Sequence, residues 1–357
     1  MELQSIDLKG SPTNMGQGFG EACRSQVHEL YHIRLDTAIT CAKQLGRTYE
    51  PDDLHAISHR CIVAAEVFDP IGHAEFLGIA EGAGLTPEEL FVANALTDLR
   101  DVLGFHAEED LEGCTSFVVP GKLARKGQTL IGENWDLHTT NMPYVRLVHR
   151  YPDNAPATHG VTLTGCLSLM GMNEHGIAIG NTNLRTCDVR IGVQYLSIIH
   201  RVLRARTRAD ALRIIEDAPR AAAHYYFLSD GNGSATCIEC SGYEYATTDV
   251  ESDICIHANH VNDHALRDLE RPYSASSEFR QSRLDVLMRA GLPDITVDHI
   301  KEALSDHEGG SNCICRHDVT PGISTDACVI MCPESGELHA CRGQAHVGEW
   351  VTVQCRS

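Results

Sequence analysis

Gly113-Cys114 is the place in this chain where residue types and position combine into chemistry. It lies in the run Glu112-Gly113-Cys114-Thr115-Ser116-Phe117, where helix-like periodicity gives way to strand-like alternation. A cysteine directly behind the one residue without a β-carbon could attack the carbonyl of its own preceding peptide bond. Cleavage would leave the thiol beside its own α-amine, which can act as its base. On spacing alone the simpler reading is one buried thiol among 15.

Four other constellations bear on that choice. Gly132-Glu133-Asn134-Trp135-Asp136 ends the second strand after Cys114. If the two strands form a hairpin, Asp136 returns toward Cys114, where a carboxylate could hold an ammonium or orient an arginine; a strand-ending Asx turn is an equally common use of such an aspartate. Ile256-His257-Ala258-Asn259-His260 ends another strand. There Asn259 could donate both amide N–H groups to a developing oxyanion. His257 and His260 are poorly spaced for one metal ion, and no third ligand accompanies them. Cys313-Ile314-Cys315-Arg316-His317 follows a Gly/Ser/Asn loop; without further information Arg316 reads as a surface charge. Cys237-Ile238-Glu239-Cys240 lies in an alternating strand that turns its two thiols to opposite faces, a structural reading.

The elements that would position these residues fall into two parts. Upstream, helical stripes cover about 14–45, with Val27, Leu30, Tyr31 and Leu35 on one face, and about 54–66. Thr86, Pro87 and Glu89 form a capping box leading into Leu90-Phe91-Val92. The acidic stretch 106–110 predicts an exposed loop. Downstream, 115–119 and 128–133 predict a hairpin, with strands at 144–151, 159–165 and 176–181. Helices follow at 193–204 and after the Thr207 cap, then strands at 225–229, 235–240 and 254–258, with the turn Asp230-Gly231-Asn232-Gly233 between the first two. Helices at 277–290 and 297–304, the second capped by Thr296, precede closing strands at 327–332, 337–342 and 349–354. The order predicts helices layered on sheets.

Composition sets outer bounds. The 357 residues, 43% hydrophobic, suffice for one large core or two. A formal net charge of -20 argues against nucleic-acid or anionic-membrane partners. The first residues, Met1-Glu2-Leu3-Gln4-Ser5-Ile6-Asp7, lack a signal-peptide pattern, and no run is apolar enough to span a bilayer. A cytoplasmic protein with reduced thiols is the expectation.

Taken in order, these segments resemble peptidase family C45, the acyl-CoA:isopenicillin N acyltransferases and related carcinine and β-alanyl-amine hydrolases, among the N-terminal-nucleophile hydrolases. The matching elements are Gly113-Cys114-Thr115-Ser116, Gly132-Glu133-Asn134-Trp135-Asp136, Gly171-Met172-Asn173-Glu174-His175-Gly176, Gly180-Asn181-Thr182-Asn183, His257-Ala258-Asn259-His260, Arg280-Gln281-Ser282-Arg283 and Cys315-Arg316. Gly78 to Leu85 resembles a helix-to-helix turn of the family's leader portion. Bile-salt hydrolases are more distant, because their arginine shortly after the cysteine is missing; Arg125 lies in the hairpin turn.

The resemblance implies an α+β fold, a four-layer αββα sandwich. It implies self-cleavage between Gly113 and Cys114 into a helical α chain (1–113) and a catalytic β chain (114–357) that stay associated. Cys114, Asp136, Asn259 and Arg316 become the catalytic set, with Asp136 paired to Arg316 and Asn259 donating to the oxyanion. The released amine, with a reference pKa of about 7.7–8.0, takes the thiol proton. Phe117, Trp135, His138 and Tyr225 are weaker candidates for substrate contact. The expected activity is hydrolysis of a small N-acyl amine or N-acyl amino acid through an acyl-thioenzyme, with no cofactor and no metal. The alternative is N-acyl transfer from an acyl-CoA to an amine; a homo-oligomer is compatible with either. Two further readings are a Cys/His-rich metal or redox protein, suggested by 15 Cys and 20 His, and an unprocessed ligand-binding homologue.

Overall fold

The computed structural model describes residues 2–104, 113–317 and 322–356. The predicted loop at 106–110 lies outside them. Strand β1 (Ser5–Gly10) opens the chain and is followed by six helices: α1 (Pro12–Ala22), α2 (Arg24–Gln44), α3 (Pro51–Phe68), α4 (Pro70–Ala83), α5 (Pro87–Asn94) and α6 (Leu96–Leu103). The capping box forms as read: Thr86 accepts from the Glu89 N–H, and Glu89 accepts from the Thr86 N–H.

Two differences mark this leader portion. It is not purely helical, since β1 adds a parallel strand to β4 (Val145–Pro152) and so ties the leader into a sheet of the second part. Nor are its glycines all turn residues. Gly78 and Gly82 lie inside α4 and face Gly16 and Gly20 of α1. A β-carbon at Gly82 would lie 2.2 Å from the Gln17 carbonyl oxygen, so bare backbone is what lets the helices meet.

After Gly113 the period changes to two, and the strands sort into two sheets. One has six strands, in the order β11 (Cys255–His257), β2 (Gly113–Val119), β3 (Leu130–His138), β12 (Ile323–Cys332), β13 (Glu337–Arg342) and β14 (Val351–Gln354). The other has eight: β1, β4, β5 (Thr158–Leu163), β6 (Met170–Asn173), β7 (Ala178–Asn183), β8 (His224–Ser229), β9 (Ala235–Cys240) and β10 (Tyr245–Asp249). The sheets face each other, with β2 against β7. Helices α7 (Tyr195–Val202) and α8 (Arg208–Glu216) pack on the eight-stranded sheet; α9 (Ser276–Arg289) packs on the six-stranded one, with α10 (Val297–Ala303) against α9. The result is the expected αββα sandwich.

Alternation along β2 divides the core. Phe117 and Val119 pack outward with Leu284, Met288, Ile300 and Ile330, while Cys114 and Val118 join Ile131 and Trp135 in the core between the sheets.

Candidate active site

The hairpin of β2 and β3 sets the geometry. Gly113 pairs with Asp136 and Cys114 with Trp135, so the strand-end aspartate comes back to the Gly113–Cys114 bond. Strand β11 flanks the other edge of β2 and carries Asn259 just past its end, while α9 covers the outer face. Three separate segments therefore converge on one peptide bond.

Asn259 grips that bond through its oxygen. Its Oδ1 accepts from the Cys114 N–H at 2.9 Å and from Arg280 Nη2 at 2.8 Å. Because arginine can only donate, this fixes which end of the amide faces Cys114. The amide nitrogen donates instead to the Asn183 carbonyl at 2.9 Å. The expectation that both N–H groups are available to an oxyanion is therefore not met: one is spent on backbone, and the oxygen points at Cys114. A β-carbon at Gly113 would lie 2.5 Å from Asn259 Oδ1 and 2.6 Å from Arg280 Nη2, so only glycine fits there without displacing them.

Arg280 is the residue that site reasoning from sequence left out. It is fully buried on α9 and bonds to the Cys114 carbonyl and to Thr115 Oγ1 as well as to Asn259. Burial, with Arg316 nearby, lowers its pKa to about 10. A usable signal was present: Arg280, Leu284 and Met288 form one i, i+4, i+8 stripe, and α9 buries all three.

Arg316 corrects the surface reading made from its local sequence. It is fully buried, its Nε 3.5 Å from Asp136 Oδ2 and its Nη2 2.5 Å from Ser276 Oγ. Thr325 Oγ1 donates to Asp136 Oδ1 at 2.7 Å. Even so, burial outweighs Arg316, Arg280 and Thr325 and raises the Asp136 pKa. Glu133, on the Cys114 face of β3, is fully buried; burial and then Asp136 push its pKa far above the carboxylate range, against a backbone hydrogen bond from Asn181. The Cys114 thiol is pushed well above its ordinary value by burial, then by Glu133 and Asp136, with Arg280 and the Asp136 backbone opposing. As an intact chain, this site holds a protonated thiol.

Cys114 opens into a tight cleft of about 50 Å³ lined by Trp135, Asp136, Asn259 and Arg280. Arg34 and Arg100 from the helices before Gly113 and Arg185 from the stretch after β7 also line it. Of the weaker candidates, Trp135 alone lines this cleft. His138 sits in the adjoining hollow beside Arg34 and Arg100. Phe117 faces the opposite way, into the core under α9, because β2 alternates. Tyr225 lines a larger cavity of about 800 Å³ with Cys237, Cys255 and His257. There its hydroxyl donates to Cys237 Sγ at 2.8 Å and its ring stacks on His257, itself bonded to Glu239 at 2.9 Å. Cys255 lies 3.3 Å from Cys237, whose hydrogen bond, against burial, lowers the Cys255 pKa to about 7.

Residues 123–346 match the acyl-coenzyme A:6-aminopenicillanic acid acyl-transferase family. The match spans more than half of the chain and takes in Asp136, Asn259, Arg280 and Arg316. The chain belongs to that family. It is an enzyme. Among solved structures, it is similar to conjugated bile acid hydrolase from Clostridium perfringens, at 13% identity and a TM-score of 0.48 over 68% of this chain and 92% of that one. It is also similar to penicillin V acylase from Agrobacterium tumefaciens, at 12% identity and a TM-score of 0.46 over 68% and 86%. No curated protein matches the chain. Among the described residues, no helix is long and apolar enough to cross a membrane.

Proposed function

We propose that this protein is a self-cleaving N-terminal-cysteine amidase whose substrate carries a carboxylate, an N-acyl amino acid in preference to a neutral N-acyl amine. The observation that carries the reading is the hold on the Gly113–Cys114 bond: Asn259 Oδ1 accepts from the Cys114 N–H, and Arg280 braces that oxygen and the next carbonyl, of Cys114. In the first step Cys114 Sγ attacks the Gly113 carbonyl carbon. The C–N bond breaks, a thioester forms, and the thiol proton ends on the Cys114 nitrogen. Water then hydrolyses the thioester, leaving a Gly113 carboxylate (1–113) and a free thiol (114–357).

Cleavage supplies what the intact site lacks. A thiol held far up by burial needs a base within reach, and the new α-amine, with a reference pKa of about 7.7–8.0, is that base. Asn259 Oδ1, which accepts from the Cys114 N–H in the intact chain, would accept from the same nitrogen as an amine and hold it beside the sulfur. Asp136, backed by Arg316 and Thr325, gives that end of the site its negative pole. The thiolate then attacks the substrate amide, the amine leaves with the proton, and water releases the acyl group. Arg34, Arg100 and Arg185 on the cleft wall support an anionic substrate.

Hydrolysis of an N-acyl amino acid should exceed that of its C-terminal amide by about tenfold or more in kcat/KM. Equal rates would remove the carboxylate from the reading. Membership of an acyl-coenzyme A-dependent acyltransferase family favours a second reading, N-acyl transfer from acyl-CoA. Product analysis with acyl-CoA and an amine separates the two, since transfer exceeding hydrolysis would reject the amidase.

A further inference from the structure

Away from the Cys114 cleft, three histidines from three different segments meet at the surface. His307 follows α10, His317 directly follows Arg316, and His346 lies between β13 and β14. Ring centroids are 4.4 Å apart for His307–His317 and for His307–His346, and 5.5 Å for His317–His346. One ring nitrogen from each lies within 4.8 Å of the other two. Residues so far apart in sequence are not brought together by local turn geometry.

The surroundings orient the rings. His307 Nδ1 is 3.0 Å from the Cys315 carbonyl oxygen, which only accepts, so Nδ1 carries the proton and Nε2 the lone pair. A ligating histidine whose second nitrogen donates to a backbone carbonyl is a recurrent arrangement in metal sites. His346 Nδ1 is 3.6 Å from Cys315 Sγ, so one residue, Cys315, holds two of the three rings. His307 and His346 are exposed and His317 is half-buried, which leaves a path for an ion from solvent.

We propose that His307, His317 and His346 form a binding site for a zinc-class divalent cation, which clasps the segment carrying Arg316. The donor set is imidazole only. That suits Zn²⁺ and its late first-row neighbours, and it is the wrong set for Mg²⁺ or Ca²⁺, which take oxygen ligands. Three histidines leave a fourth position for water. The ion would join the end of α10, the segment before β12 and the β13–β14 connection, all at one point. The backbone there is already drawn together: the Cys315 N–H donates to the Asp306 carbonyl, and Gln344 Nε2 donates to the Arg316 carbonyl at 3.4 Å. The sequence-based expectation is no metal anywhere in the chain, and this triad departs from it because its three histidines meet only in the folded structure. The site stands on its own geometry and does not depend on the proposed amidase activity.

The test uses the full chain, stripped with a chelator and titrated calorimetrically with Zn²⁺ alone, then with Co²⁺ for its visible absorption. The expected result is one equivalent bound, a higher Tm with metal, and a tetrahedral Co²⁺ spectrum. His307→Ala and His346→Ala alter exposed side chains and should fold. Each should weaken binding by on the order of 100-fold and abolish the Co²⁺ signature. A second group, Cys332, Glu337 and His339, is the internal control, and His339→Ala should bind as wild type does. Wild-type protein that takes up no Zn²⁺ would overturn the proposal. So would uptake that survives the double variant His307→Ala/His346→Ala, or uptake that His339→Ala removes.

Discussion

Two clusters of buried charge, each setting carboxylates against arginine, end in opposite states. Glu75 of α4 meets Arg150 of β4 at 2.7 Å and His200 of α7 at 3.3 Å, and Ser168 bonds to both the arginine and the histidine. Burial opposes its charge, but Arg150 and then His200 overcome that, and its pKa falls well below the carboxylate range. At the Cys114 site burial wins: Asp136, Glu133 and the Cys114 thiol are all raised. The first cluster fastens the leader to the second part of the chain, and every charge in it has close partners. The second gathers its acids around one peptide bond with less opposing charge. Closely paired buried charge makes a fastener, whereas buried acids with too little opposing charge make a site primed for proton transfer.

The largest effect expected from this contrast is on stability. Glu75→Gln leaves Arg150 buried without its counter-ion and should cost about 3–5 kcal/mol at pH 7, read by urea denaturation. The Glu75 pKa is lower folded than unfolded. Its contribution is therefore complete above the unfolded value, about 4.3, and fades as acid protonates the folded form. The deficit of the variant should shrink toward pH 3. A loss under about 1 kcal/mol at pH 7 would erase the distinction between the clusters.

Next comes Arg316→Met, which removes the cation from Asp136 and lets the aspartate drift from its position. Turnover should fall roughly 100-fold, with a shifted pH profile and a smaller change in KM. An unchanged pH profile would make Arg316 purely structural.

Glu133→Gln probes the opposite sign. Its folded pKa is raised, so the wild type loses stability as pH climbs past the unfolded value. The variant should gain on the wild type by about 1 kcal/mol per pH unit until the folded carboxyl itself ionises. Stability curves that stay parallel from pH 4 to 7 would show that Glu133 is not held protonated.

The smallest effect concerns a second thiol. Cys255, lowered to about 7, should be alkylated by iodoacetamide at neutral pH well before Cys237, whose thiol burial and then Cys255 push far up. Cys255→Ser should nonetheless leave processing within about twofold of wild type. Loss of processing in that variant would move the reactive centre to the larger cavity.

Much of this was legible in the sequence, for identifiable reasons. The Thr86 and Thr296 caps, the Asp230–Gly233 turn and β13 rest on local signals and appear where those signals put them; the β2–β3 hairpin forms too, but its second strand runs over 130–138 rather than 128–133, which brings Asp136 into the ladder. Local patterns did not reveal β1, whose partner β4 lies far along the chain, or the division of 14–45 into α1 and α2 at Cys23. In the site, Asp136 followed from hairpin register. Arg316 did not, because its local sequence does not show the carboxylate, serine and threonine that allow it to be buried. The direction in which Asn259 presents its amide depends on Arg280 and Asn183, both remote in sequence. The arginines on the cleft wall come from both sides of Gly113, so no single motif contains them.

Cleavage at Gly113–Cys114 is the central claim, and intact-mass analysis of freshly purified wild type beside Cys114→Ala tests it most directly. Wild type should resolve into two fragments, the larger reading Cys-Thr-Ser at its N-terminus, while Cys114→Ala remains one chain. A single wild-type chain that hydrolyses N-acyl amino acids would contradict it.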